Sequence, residues 1–72
     1  MAQDIRKHIS NRVRELRAKR GWTQQELAEA SELDYKSIQR LEAKVPRFHP
    51  KVNTLEKVAK AFGISVSELL ER

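Results

Sequence analysis

The sequence predicts an all-α fold of five helices. Apolar residues recur at spacings of three and four, and the strict alternation of a half-buried strand is absent. Thr23, Asp34 and Ser65 each follow an apolar residue and precede another four positions later, the pattern of a capped and stapled helix start. Only two glycines and two prolines interrupt the chain.

The first helix is expected from about Asp4 to Arg20, with Ile5, Ile9, Val13 and Leu16 forming its apolar stripe. Gly21 can take the left-handed conformation that ends it, and Lys19 and Arg20 suit the negative end of its dipole. The second helix starts at Thr23. In "TQQE" the Thr23 hydroxyl can accept from the backbone of Glu26 while the Glu26 side chain returns to Thr23, a capping box stapled by Trp22 and Leu27. Asp34 starts a third helix, stapled by Leu33 and Ile38. A fourth is expected over Val52–Phe62, with Val52, Leu55, Ala59 and Phe62 on one stripe and Gly63 at its end. "SVSE" at 65–68 is a second capping box, opening a fifth helix with the staple Ile64 and Leu69. Between the third and fourth helices, "AKVPRFHP" carries both prolines and reads as an irregular loop.

A chain of 72 residues is expected to form a single domain, residues 1–72, near the lower size limit for folding without covalent staples. It has no cysteine, so disulfides and thiolate metal sites are excluded, and His8 and His49 have no second ligand at metal-binding spacing. No apolar run approaches the roughly 20 residues that span a bilayer, and nothing resembles a signal peptide, so the expected location is the cytoplasm. Gln3, Ser10, Ser31 and the histidines form no nucleophile–base set, and no glycine-rich phosphate loop or carboxylate pair is visible. The chain is not expected to be an enzyme, or to need a cofactor, metal or small-molecule ligand.

The net charge of +5 is unevenly spread. Arg6, Lys7, Arg12, Arg14, Arg17, Lys19 and Arg20 outnumber Asp4 and Glu15 in residues 1–20. Residues 21–40 are acidic, with Glu26, Glu29, Glu32 and Asp34 against Lys36 and Arg40. Residues 41–60 are basic again. Such a distribution suggests a polyanionic partner.

Thr23 and Asp34 lie only eleven residues apart, which leaves room for a short helix and a tight corner. Two helices so joined cross steeply, as in a helix-turn-helix, here over about residues 23–43. Leu27, Ala28, Leu33, Ile38 and Leu41 can fill the angle between them. With Asp34 at zero and about 100° per residue, Ile38 falls near 40° and Leu41 near 340°, which defines the buried side. Lys36, Gln39, Arg40 and Ala43 fall at roughly 140–240°, with Tyr35 on one flank and Glu42 near 80° at the edge of the buried side. The outward face thus offers a phenol, an ammonium, an amide and a guanidinium, groups that read base edges in a DNA major groove. An ordinary solvated helix face has the same pattern.

"VRELRAKRGWTQQELAEASELDYKSIQRLEAK" followed by "NTLEKVAKAFGISVSELL" resembles the Cro and phage-repressor (XRE-like, lambda-repressor-like) helix-turn-helix domain, over about Ile5 to Leu70. The resemblance implies a compact five-helix domain that binds operator DNA as a symmetric homodimer, with helix three in the major groove. It places Tyr35, Lys36 and Arg40, with Gln39 adjacent, where the family contacts bases. It places Gln24 where the family has a glutamine touching phosphate and bracing the recognition helix. Arg17 falls opposite Glu42 as an ion pair between helices one and three, with a phosphate contact as its secondary role. Lys44, Arg47 and Lys51 lie in or beside the loop that should pass the phosphate backbone. The family usually has glycine at the corner where this chain has Glu32, so either a left-handed Glu32 costs on the order of 1 kcal/mol or the turn differs locally. The loop from Ala43 to Lys51 is also long and proline-rich for the family.

The leading expectation is a sequence-specific transcriptional regulator, most simply a repressor that occupies a promoter. Two other readings compete. A protein-interaction module, such as an antitoxin that captures a partner, would need apolar surface left after the core is filled, with Val66, Leu70 and Phe48 as candidates. A membrane-surface peptide could use the arginine-flanked stripe of helix one, but the strong caps elsewhere argue that this stripe faces a core.

Overall fold

The computed structural model describes residues 5–45 and 49–71. Among these lie five helices and no strand: α1 (Ile5–Arg20), α2 (Gln24–Ser31), α3 (Tyr35–Leu41), α4 (Val52–Phe62) and α5 (Val66–Leu70). Asp4, the expected start of the first helix, and Arg47 and Phe48 lie outside the described residues. The fold class and helix order match the sequence expectation.

Three corners repeat one local design. In each, a left-handed residue ends one helix, an apolar residue follows, and an N-cap opens the next helix. The triplets are Gly21-Trp22-Thr23, Glu32-Leu33-Asp34 and Gly63-Ile64-Ser65. The middle residue donates its N–H five positions back, Trp22 to Arg17 O, Leu33 to Ala28 O and Ile64 to Ala59 O, at 2.9–3.1 Å. This closes the last helical carbonyls in the Schellman manner. The same three side chains pack against the core, so each corner is fixed by backbone and by burial together. Both capping boxes are formed, at Thr23–Glu26 and Ser65–Glu68, and Asp34 accepts from the Ser37 amide.

Only the middle corner lacks glycine. Glu32 adopts φ 57°, ψ 37°. The short α2–α3 turn requires this left-handed step, and Glu32 takes it at a cost on the order of 1 kcal/mol.

The core gathers Ile9 and Val13 of α1, Leu27 and Ala28 of α2, Ile38 and Leu41 of α3, Leu55, Val58, Ala59 and Phe62 of α4, and Leu69 of α5. Helix α2 packs on α3 and α4, and α1 packs on α5 and α3. The stripe expected for α4 needs one correction. Val52 is 69 % exposed, and Val58 is fully buried in its place. The first turn of α4 overhangs the core, so the inward row begins one turn later, at Leu55. Ile5 is likewise half out at the first turn of α1. Val66 and Leu70 are partly buried against the core, which leaves little of them as spare apolar surface.

Arg20 does more than complement the dipole of α1. Its guanidinium lies 5.3 Å from the Trp22 ring centre and 5.9 Å from that of Phe62, whose rings stack at 5.7 Å. It also donates to the Phe62 carbonyl, at the end of α4. Trp22 is therefore a core and corner residue, tied to α4 through one cation. His8 Nε2 meets the Glu71 carbonyl at 2.7 Å, which links α1 to the end of α5.

Candidate nucleic-acid interface

Helix α3 is short, and its two sides differ sharply. Ile38, Leu41 and Glu42 are buried, whereas Tyr35, Lys36, Gln39 and Arg40 are exposed. The angular assignment from the sequence therefore holds at each of these positions except that Glu42 sits deeper than the edge of the buried side. It is only 4 % exposed.

Burial of that carboxylate is stabilised by Arg17. Nε donates to Glu42 Oε2 at 2.7 Å and Nη2 to Oε1 at 3.0 Å, the bidentate geometry that suits guanidinium and carboxylate. The third Arg17 nitrogen, Nη1, donates to the Trp22 carbonyl at 2.8 Å. One arginine thus ties α1 to the first corner and to the end of α3. Its pKa is raised, chiefly by the hydrogen bonds to Glu42 and further by the charge of that carboxylate, with burial opposing.

Gln24, the first residue of α2, joins the same network. Its Nε2 donates to Glu42 Oε1 at 3.3 Å, and its Oε1 accepts from the Tyr35 hydroxyl at 3.2 Å. Arg17, Thr23, Gln24, Gln25 and Tyr35 line a shallow, open hollow where the two helices of the corner begin. The other end of α3 is held from below, where the buried Ser10 hydroxyl donates to the Ala43 carbonyl at 2.7 Å. Asp34 fixes the start of α3, and its carboxyl is held below the usual range, first by the Ser37 hydroxyl and then by the Ser37 amide.

A second groove, of about 390 Å³, runs beside α3 between Arg6 of α1, Ser37 and Arg40 of α3, and Lys51 and Thr54 at the start of α4. Lys44 and Lys51 are exposed, on either side of the segment that contains Arg47. The structure thus brings Arg17, Gln24, Tyr35 and Glu42 into one contact network and Arg40 and Lys51 into one groove. Lys36, Gln39 and Lys44 stand outside both. Ser10 and Arg20 were not legible as positioning residues. Nothing in the local sequence announces that Ser10 faces the end of α3 or that Arg20 reaches α4.

The arrangement presents donors and cations from one short helix that is braced from three sides. Among the described residues there is no group of three or more histidine, aspartate or glutamate side chains able to hold a metal ion. No described helix is long and apolar enough to cross a membrane. A family model described as helix-turn-helix matches residues 13–69, from the middle of α1 through Leu69 of α5. The chain belongs to the helix-turn-helix family.

The chain is 43 % identical over 61 residues to a competence pilus inhibition repressor of Acinetobacter baylyi, covering 85 % of this chain and 54 % of that protein. It is 34 % identical over 68 residues to a hypothetical transcription factor of Neisseria meningitidis, covering 94 % of this chain and 62 % of the relative. The chain therefore spans little more than half the length of these relatives. Among solved structures, the hypothetical transcription factor NHTF from Neisseria superposes with a TM-score of 0.85 at 33 % identity, over 96 % of this chain and 77 % of that one. The clp gene regulator ClgR from Corynebacterium glutamicum superposes with a TM-score of 0.80 at 32 % identity, over 94 % and 70 %. Within the helix-turn-helix, α2 is the bracing helix and α3 the second helix of the motif.

Proposed function

We propose that this chain is the DNA-binding domain of a transcriptional regulator, most simply a repressor, which recognises a pseudo-palindromic operator by laying α3 in the major groove. The observation that carries this is the polarity of α3. Ile38, Leu41 and Glu42 anchor one side, while Tyr35, Lys36, Gln39 and Arg40 stand exposed on the other. A helix held this firmly can position base-reading groups, because the entropy of ordering it has already been met by folding. Tyr35, Lys36, Gln39 and Arg40 are the proposed base readers.

Phosphate contacts are assigned to Gln24, Lys44, Arg47 and Lys51, which flank α3 in sequence or in space. Arg17 is mainly structural, since three of its donors already serve Glu42 and Trp22. Any phosphate contact it makes uses its remaining N–H groups. The names of the relatives, a repressor, transcription factors and a gene regulator, support the same reading. So does the net charge of +5 opposite a polyanion. Residues 1–72 act in this reading as one domain, in the cytoplasm with the DNA, and pair as a homodimer on half-sites about 10–10.5 bp apart. The packing of Val66 and Leu70 against the core, which leaves them only partly exposed, weakens the partner-capture alternative, which needed them as free apolar surface.

Selection of binding sites from randomised duplexes, followed by sedimentation of the complex, tests this reading. A palindromic consensus carrying two chains is the expected result. Enrichment of no sequence, or one protomer on an asymmetric site, would contradict it.

A further inference from the structure

Tyr35 ends a chain of hydrogen bonds whose direction is set at Glu42. The carboxylate of Glu42, ion-paired with Arg17, can only accept hydrogen bonds. It therefore draws the NH2 end of the Gln24 amide toward itself, Nε2 to Oε1 at 3.3 Å. That choice turns the amide oxygen toward Tyr35, 3.2 Å from its hydroxyl. An amide oxygen also accepts only, so the phenol must donate, and a phenol has one hydrogen. What remains on the Tyr35 oxygen is lone pairs. The residue is 43 % exposed on α3, within the set assigned to base reading.

We propose that Tyr35 acts as a polarity filter in base recognition: its hydroxyl accepts a hydrogen bond from an amino group on the contacted base and cannot donate one. In the major groove that favours adenine N6 or cytosine N4 and disfavours guanine and thymine, which present O6 or O4 as acceptors at the matching position. Gln24 is then a positioning residue for specificity as well as a phosphate contact. The buried charge of Glu42 fixes the orientation of both. This inference rests on the reading of α3 as the DNA-contacting helix.

The filter makes Gln24 and Tyr35 substitutions behave differently. Tyr35→Phe removes the hydroxyl and should erase preference at one base pair of each half-site. Gln24→Met keeps length but removes the acceptor, so the hydroxyl can rotate and donate. The same base pair should then admit guanine or thymine at the contacted position. Loss of a phosphate contact in Gln24→Met would weaken all duplexes alike, so the preference ratio is the readout rather than affinity.

The experiment uses the intact chain and the two variants, with melting curves showing that each is folded. Sites are first selected for the wild type, and the pair that responds to Tyr35→Phe is identified. The amino-bearing base of that pair is then replaced by its analogue without the amino group, purine for adenine or 2-pyrimidinone for cytosine. The wild type should bind the analogue about two- to tenfold more weakly, the range of one hydrogen bond, while Tyr35→Phe should bind both equally. Equally tight binding of the natural pair and its amino-free analogue by the wild type would overturn the filter. A Tyr35→Phe consensus identical to the wild type, or unchanged preference in Gln24→Met, would also overturn it. Selection of no preferred duplex by the wild type would instead overturn the DNA reading itself, and the filter with it.

Discussion

Arg17 holds the buried carboxylate of Glu42 from two nitrogens, at 2.7 and 3.0 Å, and the two partners are unequally covered. The Arg17 side chain keeps 22 % of its surface in solvent and that of Glu42 keeps 2 %. Removing one member should therefore cost different amounts. Arg17→Met strands a buried charge and should lower stability by about 3–5 kcal/mol. Glu42→Gln leaves Arg17 an amide oxygen and a path to water, so it should cost clearly less. Urea unfolding of both variants checks the order. Because the Arg17 pKa is raised on folding, the stabilisation linked to the arginine's charge is fully present at neutral pH and is lost as pH rises through that high value.

Asp34 gives the fold an acid-sensitive cap. Its folded-state pKa is lowered by the Ser37 hydroxyl and amide, so its stabilisation is present above the ordinary carboxylate pKa of about 4. It is lost as pH falls through the lower folded value. Asp34→Ala should thus be less stable than the wild type at pH 7, and the difference should shrink on acidification. Paired melting curves from neutral to strongly acidic pH provide the check. A constant gap would show that the carboxylate charge does not contribute to the cap.

Glu32 and Gly63 end α2 and α4 in the same left-handed conformation, φ 57° and 71°. Glu32→Gly relieves the steric cost of a Cβ there but frees the unfolded chain, so a net gain of a few tenths to about 1 kcal/mol is expected. Gly63→Ala should lose about 1 kcal/mol from backbone strain alone, since nothing lies within 4 Å of an added Cβ. Thermal midpoints moving in opposite directions are the expected readout.

What the sequence disclosed was mostly local. Trp22, Leu33 and Ile64 announced three corners, because caps, staples and left-handed turns depend on residues a few positions apart. The α3 faces were legible for a related reason: seven residues on a regular helix leave no room for the period to drift. Val52 lies outside the core despite its place on the α4 stripe, because a period gives the direction of a side chain, not where the neighbouring helix begins to cover it. The links from Ser10 to Ala43, Arg20 to Phe62 and Tyr35 to Gln24 join residues 11 to 42 positions apart. Only the tertiary packing brings them together.

The most direct test separates reading from holding on α3. Arg40 is exposed on the outward side of α3, and Lys44 is exposed just beyond its end. A base contact carries specificity, whereas a phosphate contact releases counterions and steepens the salt dependence. The measurement is a salt titration of Arg40→Ala and Lys44→Ala on a selected operator and on a scrambled duplex. Arg40→Ala should reduce the operator-to-scrambled ratio by the equivalent of about 1–3 kcal/mol and keep most of the salt slope. Lys44→Ala should weaken both duplexes alike and lower the slope by about one. An unchanged operator-to-scrambled ratio in Arg40→Ala would contradict the assignment of α3 as the reading helix.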